Sequence, residues 1–326
     1  ADGRWREGLV EAVAAGTGDR DELRRFAEQV AALRATGAFT IPMEPGIAAF
    51  GDRSLDRMTM EQWLAREGYR GGAVRWMADY ACRDDFGTLA RDTSAWAALH
   101  YFAARDGDEE GPLTWPEGNG RIVRHLMSRV GDRVVPSAPV HRVERAATGG
   151  PGRAGGPMRV LAGDVEWACD AVVWAAPTFV ASRVVEGAPR AAWSYSPWMV
   201  ANLVLDRAPA EMAYDHPPAW DNVIADSPAL GYVVASHQAL RAQPEERTVW
   251  THYWALAHEA PGVARRRLWE ADWHACAEQV LADLERAHPD IRACVSRVDV
   301  RRYGHAMPRP VPGFLAAHER WWHPPR

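Results

Sequence analysis

The stretch from Leu113 to Leu126 divides this chain of 326 residues into two kinds of pattern. Ahead of it, apolar residues recur every three or four positions; behind it, they alternate or gather in short β-branched runs. The first spacing puts side chains on one face of a helix and the second puts them on one face of a strand, so a helical lobe should precede a sheet-rich part. Leu23, Phe26, Val30 and Leu33 form one helix face that Gly37 closes. Thr59 with Gln62 makes a capping box for a helix carrying Met60, Trp63 and Leu64 and ended by Gly68. Ala73 to Tyr80 and Ser94 to Arg105 are two more helical segments, and Asp84-Asp85 fall beyond the first, where an extended backbone would point them opposite ways. Arg105 to Gly111 reads as an exposed acidic loop.

Asn119 is placed to cap a helix whose Ile122, Val123, Leu126 and Val130 share a face and whose end is Gly131. Strands are expected at Val134-Val135, Val140 to Val143, Met158 to Leu161 and Asp170 to Pro177. The glycines between Thr148 and Pro157 lie between two strands and among prolines that lack amide donors, so they read as a hairpin tip rather than a nucleotide loop. A helical turn from Thr178 to Val185 leads to a second β region, with strands at Trp198 to Leu205, Asn222 to Ala225, Leu230 to Ser236 and Val249 to Ala255. Pro261 opens a helix with Trp269, Trp273, Cys276, Val280 and Leu284 on one face, and Val295 to Val300 is a further strand.

Composition excludes several classes of function. No window approaches ~18 consecutive apolar residues, so no membrane-spanning helix is expected. A net charge of −5 gives no general attraction to phosphate backbones, which argues against nucleic acid as the main partner. All 38 basic residues are arginine, which removes lysine Schiff-base chemistry. Cys82, Cys169, Cys276 and Cys294 are scattered, never at metal-ligand spacing, and read as buried thiols rather than as a disulfide framework. His258-Glu259 lacks the second histidine of a zinc-protease motif, and no metal site is expected. Compartment and oligomeric state are not legible.

A Gly118-x-Gly120 turn, a helix, the Val140-x-x-Val143 strand, a hairpin and then Asp170-x-Val172-Val173-x-Ala175-x-Pro177 resemble, in that order, the middle of a flavin amine oxidase-type FAD-dependent oxidoreductase. Tyr80 to Gly87, Ser94 to Trp96, Trp220 to Val223, Leu230 to Gln238 and Gly304 to Pro310 resemble a bacterial branch of that family, often labelled amine oxidase or NAD(P)-binding. The resemblance implies an α+β or α/β fold: a helical lobe (residues 1–112), part of a Rossmann-like, three-layer FAD-binding domain (113–178), the mixed sheet of a substrate domain (179–300) and a return segment (301–326). The family's Gly-x-Gly-x-x-Gly turn and its C-terminal flavin-contacting segment find no match, so the chain is expected to be an interior piece. FAD is accordingly expected for the full-length protein and weak or absent binding for this chain.

The same resemblance places Gly118, Gly120, Val140, Ala175, Ala176 and Pro177 near the dinucleotide. The family's lysine near the flavin falls on Ala201 or, with a slip of one residue, on Asn202. Asn202 would orient substrate or water there, or serve a structural hydrogen-bond network. His305 is a candidate for proton transfer, or a histidine satisfied by a backbone carbonyl; His237 and Asp221 share that status. Trp193, Trp198, Trp220, Trp250 and Trp254 fall where the family builds its substrate cavity. The implied activity is hydride transfer from an apolar or amine substrate to flavin. A carotenoid desaturase or isomerase-like flavoprotein and a degenerate binding module are the alternatives.

Overall fold

The structure is a computed structural model describing residues 5–9, 19–50, 53–105, 115–146, 158–190, 193–210, 219–238 and 247–317. Residues 106–111 of the expected loop and the whole glycine-proline tip, 148–157, lie outside the described residues. Helices α1 (Arg20–Ala35), α2 (Glu44–Phe50), α3 (Met60–Arg66), α4 (Gly72–Phe86) and α5 (Ala95–Ala103) come first. Next are α6 (Gly120–Val130), β1 (Val140–Arg145), β2 (Met158–Ala162), β3 (Val165–Cys169) and α7 (Thr178–Val184). Then follow β4 (Tyr195–Leu205), β5 (Asp221–Asn222), β6 (Gly231–Val234), β7 (Thr248–Ala255), α8 (Pro261–Glu270), α9 (Trp273–Glu285), α10 (Ile291–Cys294) and β8 (Val295–Pro308). The chain divides into two compact units, Ala1–Pro116 with Trp193–Phe314 and Glu117–Ala192 with Leu315–Arg326.

The first unit is built on a five-stranded sheet of order β5-β6-β7-β4-β8, antiparallel at every pairing. Its central strand β4 alternates: Met199, Ala201, Leu203 and Leu205 are buried, whereas Trp198, Val200, Asn202 and Val204 are half-buried. On β7, Trp250 and His252 share the buried side. These residues pack against Ala264 and Leu268 of α8, Cys276, Val280 and Leu284 of α9, and Ile291 and Cys294 of α10. Each large side chain so buried contributes about 1.5–3 kcal/mol, which makes this layer a large contributor to the unit's stability.

The region from Pro261 to Leu284 is two helices rather than one. The Asp272 carboxylate accepts the Ala275 amide at 2.8 Å and starts α9 afresh. The Arg302 guanidinium meanwhile donates to the carbonyls of Leu268, Trp269 and Ala271 at the end of α8. The break turns Trp269 and Trp273 off the core face, and both are exposed. Among the helices of the lobe, the capping box is present: Thr59 Oγ1 accepts the Gln62 amide at 3.2 Å and Gln62 Oε1 accepts the Thr59 amide at 2.9 Å. α4 runs to Phe86, so Asp84 and Asp85 occupy its last turn instead of an extended segment.

Two glycines fix close approaches in this unit. Gly87 ends α4 at φ +61°, and a Cβ there would stand 2.5 Å from Trp198 Nε1, so the helix end rests on the start of β4. Gly231 has φ +123°, and a Cβ there would stand 2.0 Å from the Asn222 carbonyl, so only glycine lets β6 meet β5.

The second unit holds a three-stranded antiparallel sheet of order β1-β2-β3, of which β3 went unread in the sequence. α6 spans the expected residues, but the Asn119 side chain makes no capping bond and Ile122, Val123, Leu126 and Val130 are exposed. An amphipathic stripe specifies a helix; it does not specify that the stripe is covered. Asp170 to Pro177 and Val134-Val135 are not strands. A β-branched run becomes a strand only where a neighbour takes up its hydrogen bonds. Among the described residues this one has none, and Val173 is 92% exposed.

The glycine geometry makes a signed prediction. Gly231→Ala should destabilise the protein by about 1–3 kcal/mol in chemical denaturation, whereas Gly262→Ala, in the first turn of α8 with open space around it, should be neutral or stabilising by up to ~1 kcal/mol. Equal effects would contradict the register of β5 and β6.

Candidate active site

Because β4 is covered by helices on one face, its other face is where chemistry has room. That face carries Trp198, Val200, Asn202 and Val204 of β4. Beside them lie the β7 residues one position out from the buried set, Tyr253 opposite Val200 and Thr251 opposite Asn202. Asp221 of β5 pairs with Val233 of β6 and reaches the same side, accepting a hydrogen bond from the Tyr253 hydroxyl at 2.7 Å.

Helix α4 stands against one end of this face. Trp76, Tyr80 and Arg83 are spaced four and three residues apart, hence on one side of the helix. Trp76 Nε1 donates to the Ala225 carbonyl at 2.9 Å, Tyr80 Oη to the Leu230 carbonyl at 2.9 Å, and Arg83 Nη1 to the Pro228 and Ala229 carbonyls at 3.2 Å. Tyr80 stacks on Trp76 with ring centroids 5.2 Å apart and clusters with Leu230, Ala255, Trp198 and Tyr253.

One turn beyond Tyr80 is Asp84, half-buried. Its neighbour Asp85 pairs with Arg105 at 3.8 Å, while Asp84 has no hydrogen-bond or ion-pair partner among the described residues. Burial, then the negative charges of Asp221 and Asp85, push the Asp84 carboxyl from the ordinary 3.8 up to about 6. Its position in the last turn of a helix, near the negative end of the backbone dipole, disfavours its charge further. Burial also raises Asp221, against the lowering effect of the hydrogen bond from Tyr253, although the residue as a whole is exposed. The Tyr80 and Tyr253 phenols are raised as well, above all by burial, and stay neutral donors. The arrangement gathers aromatic rings around two partly desolvated carboxylates, and the cations that act on Asp84, Arg105 and Arg83, are paired with Asp85 and Asp79 instead.

The residues singled out in the sequence do not converge. Asn202 lies on the open face, its Oδ1 accepting from Thr251 Oγ1 at 2.8 Å, with no partner for its amide nitrogen among the described residues. His305 is exposed near the Tyr195 end of β4, its ring 6.1 Å from that of Tyr195. His237 is exposed in a short 3-10 turn after β6, beside the Ser236–Thr248 contact at the opposite end of the sheet. Of the five tryptophans expected to wall a cavity, Trp198 is on the open face. Trp250 is core, and Trp254 is on the helix-covered side, lining a cavity of about 180 Å3 with Pro228, Leu256, His258, Glu259 and Arg267. Sequence reading missed Asp84, Tyr80 and Tyr253; the Trp76, Tyr80 and Arg83 spacing was the available signal.

Gly118, Gly120, Val140, Ala175, Ala176 and Pro177 all belong to the second unit. The amides that open α6 are already engaged: Gly120 donates to the Glu117 carbonyl, Arg121 to Gly118 and Val123 to Asn119. Gly118 adopts φ +54° with open space where a Cβ would be. This turn therefore offers no free set of amides to a pyrophosphate, and no catalytic step is assigned to it. Among the described residues no group of three metal-ligating side chains occurs, and no helix is long and apolar enough to cross a membrane.

Comparison with known proteins connects this geometry to a family. Wild-type putrescine oxidase bound to putrescine superposes with a TM-score of 0.65 at 17% identity, over 91% of this chain and 66% of that one. Cyclohexylamine oxidase from Brevibacterium oxydans IH-35A gives 0.65 at 14% identity, over 94% and 67%. A triple mutant of putrescine oxidase redesigned in its cofactor binding gives 0.65 at 16%, over 92% of this chain and 63% of that one. The chain thus spans about two thirds or less of these solved structures, and at such identities they show a shared fold. No curated protein matches. The pattern described as flavin containing amine oxidoreductase matches residues 20–326. The chain belongs to the flavin-containing amine oxidoreductase family.

Proposed function

We propose that the open sheet face of the first unit binds a small apolar amine as its ammonium ion, for oxidation of its C–N bond by a flavin. The observation that carries this is the Asp84 carboxylate: half-buried, without a hydrogen-bond or ion-pair partner among the described residues, and within electrostatic reach of Asp221, Tyr80 and Tyr253. A carboxylate in that position destabilises the fold, and such groups concentrate where function uses them. An ammonium ion supplies the missing charge, and the tyrosine and tryptophan faces favour a cation bearing an apolar body. A hydrocarbon polyene has no charge to offer Asp84, which sets the desaturase reading behind the amine one.

In this family the flavin, when bound, accepts the two electrons of the oxidation. The residues of this chain bind, orient and desolvate. Asp84 and Asp221 hold the ammonium end, with Tyr253 orienting the Asp221 carboxylate by its 2.7 Å hydrogen bond. Val200 and Trp198 floor the apolar body. The Asn202 amide nitrogen is a donor available to substrate or water, its oxygen being fixed by Thr251. Asp84 as carboxylate takes a proton from the ammonium group, leaving the free amine that oxidation requires. The two histidines, exposed at opposite ends of the sheet, have no part in this reading.

Two outcomes are expected. Benzylamine binding, followed by calorimetric titration, should weaken as pH falls below about 6, approaching tenfold per unit as Asp84 takes up a proton. Asp84→Asn should weaken binding by at least ~10-fold at pH 8; affinity indifferent to both pH and substitution would contradict the proposal. The stability effect has the opposite sign. A carboxyl raised in the folded state contributes stability fully below its unfolded value and loses it as pH rises through the folded one, here from about 4 to about 6. Asp84→Asn should therefore melt above the parent at pH 8 and near it at pH 4. A lower melting temperature at pH 8 would mean the carboxylate has a partner.

A further inference from the structure

The turn that carries α4 is itself held from the other side of the sheet. Ser227 Oγ donates to Asp283 Oδ1 of α9 at 2.7 Å and accepts the Ala229 amide at 2.9 Å, which locks the conformation of residues 227–229. The Ser227 amide donates to the Ile224 carbonyl at 2.9 Å, closing the turn on its other flank. Asp283 is fixed in turn by His252 Nε2 at 3.0 Å and by Arg286 Nη1 at 3.2 Å. Ser227, Asp283 and Arg83 are each 5–6% exposed and His252 is fully buried, so water does not substitute for these bonds.

The carbonyls of this turn, at Ala225, Pro228, Ala229 and Leu230, are the ones that receive Trp76, Arg83 and Tyr80. Those three side chains account for every hydrogen bond described between α4 and the turn, and Asp84 follows Arg83 directly. We propose that Ser227 and Asp283 are positioning residues of the amine site: their buried hydrogen bond sets the 225–230 turn, and the turn sets where α4 presents Asp84. The inference rests on the reading above only in calling Asp84 the counter-charge of a substrate; the mechanical linkage stands on the bonds themselves.

The test is the titration of Asp84 by carboxyl 13C NMR in the folded protein, with thermal unfolding as control. The groups that act on Asp84 are Asp221 from β5, Asp85 and Arg83 on its own helix, Arg105 beyond α5, and the phenols of Tyr80, Tyr101 and Tyr253. Loosening the turn lets water to Asp84 and draws it away from Asp221, and both changes lower its midpoint. In Ser227→Ala the midpoint should fall from about 6 by about one pH unit, while Ser227→Thr, which keeps the hydroxyl, should restore it. Trp76→Phe, which removes one suspending bond two helical turns from Asp84, should shift it in the same direction by less. That variant also carries the test if Ser227→Ala fails to fold.

An unmoved midpoint in Ser227→Ala, or in Trp76→Phe where Ser227→Ala does not fold, would overturn the proposal, because general loss of stability leaves the folded-state titration unchanged. Failure of benzylamine to bind the parent protein is a separate result: it would sink the amine reading and leave this titration as informative as before.

Discussion

The two-sided pairing of β4 is the constraint from which the rest of the first unit follows. β7 takes one edge of the strand and β8 the other, from Trp198 to Leu205 in both registers. With both edges satisfied, the strand cannot slip by one residue without sending Met199, Ala201, Leu203 and Leu205 into water. The helices α8, α9 and α10 then have one surface to cover. The opposite surface is left with residues of intermediate burial, which is the condition for a binding face.

What makes that surface more than an uncovered sheet is electrostatics arranged at a backbone level. Arg83 is a buried cation whose charge is taken up by Asp79 at 3.2 Å and by two carbonyls of the 225–230 turn. It therefore does little for Asp84, the next residue in the chain, whose raised titration reflects burial and other carboxylates. Buried charge that is fully partnered is structural, and half-buried charge left without a partner is available to a ligand. Both sorts stand side by side at the end of α4. The Asp283 carboxylate on the far side of the sheet is of the first sort: burial alone would raise it, but the hydrogen bonds from His252, Ser227 and Arg286 outweigh that and lower its carboxyl below the ordinary value.

Much of this was legible in the sequence, and the failures have physical causes. Local signals succeeded: the Thr59/Gln62 capping box, the alternation on β4 and the helix ends at Gly37 and Gly68 depend on neighbours within a few residues. Readings that depended on distant partners fared less well. Asp170 to Pro177 has the composition of a strand but no described ladder partner, and α6 has an apolar stripe that stays exposed. The site was the hardest part, because Asp84, Asp221 and Tyr253 are brought together by three elements far apart in the chain. Asp84 and Asp85 read as extended in the sequence, whereas the helix continues through both and gives the two carboxyls different neighbours. The tryptophans were grouped by proximity in sequence, whereas strand alternation sends Trp250 and Trp254 to one side of the sheet and Trp198 to the other.

In the proposed site, ligands meet the face of β4 and β7 that the helices leave uncovered. Backbone and side-chain NMR shifts recorded on adding benzylammonium at pH 8 test this most directly, since consecutive residues of β7 point to opposite faces. Val200, Asn202, Thr251, Tyr253 and Asp84 should respond while Met199, Ala201 and His252 should not. Responses centred on Trp254, His258 and Arg267, at the cavity on the helix-covered side, would contradict that placement.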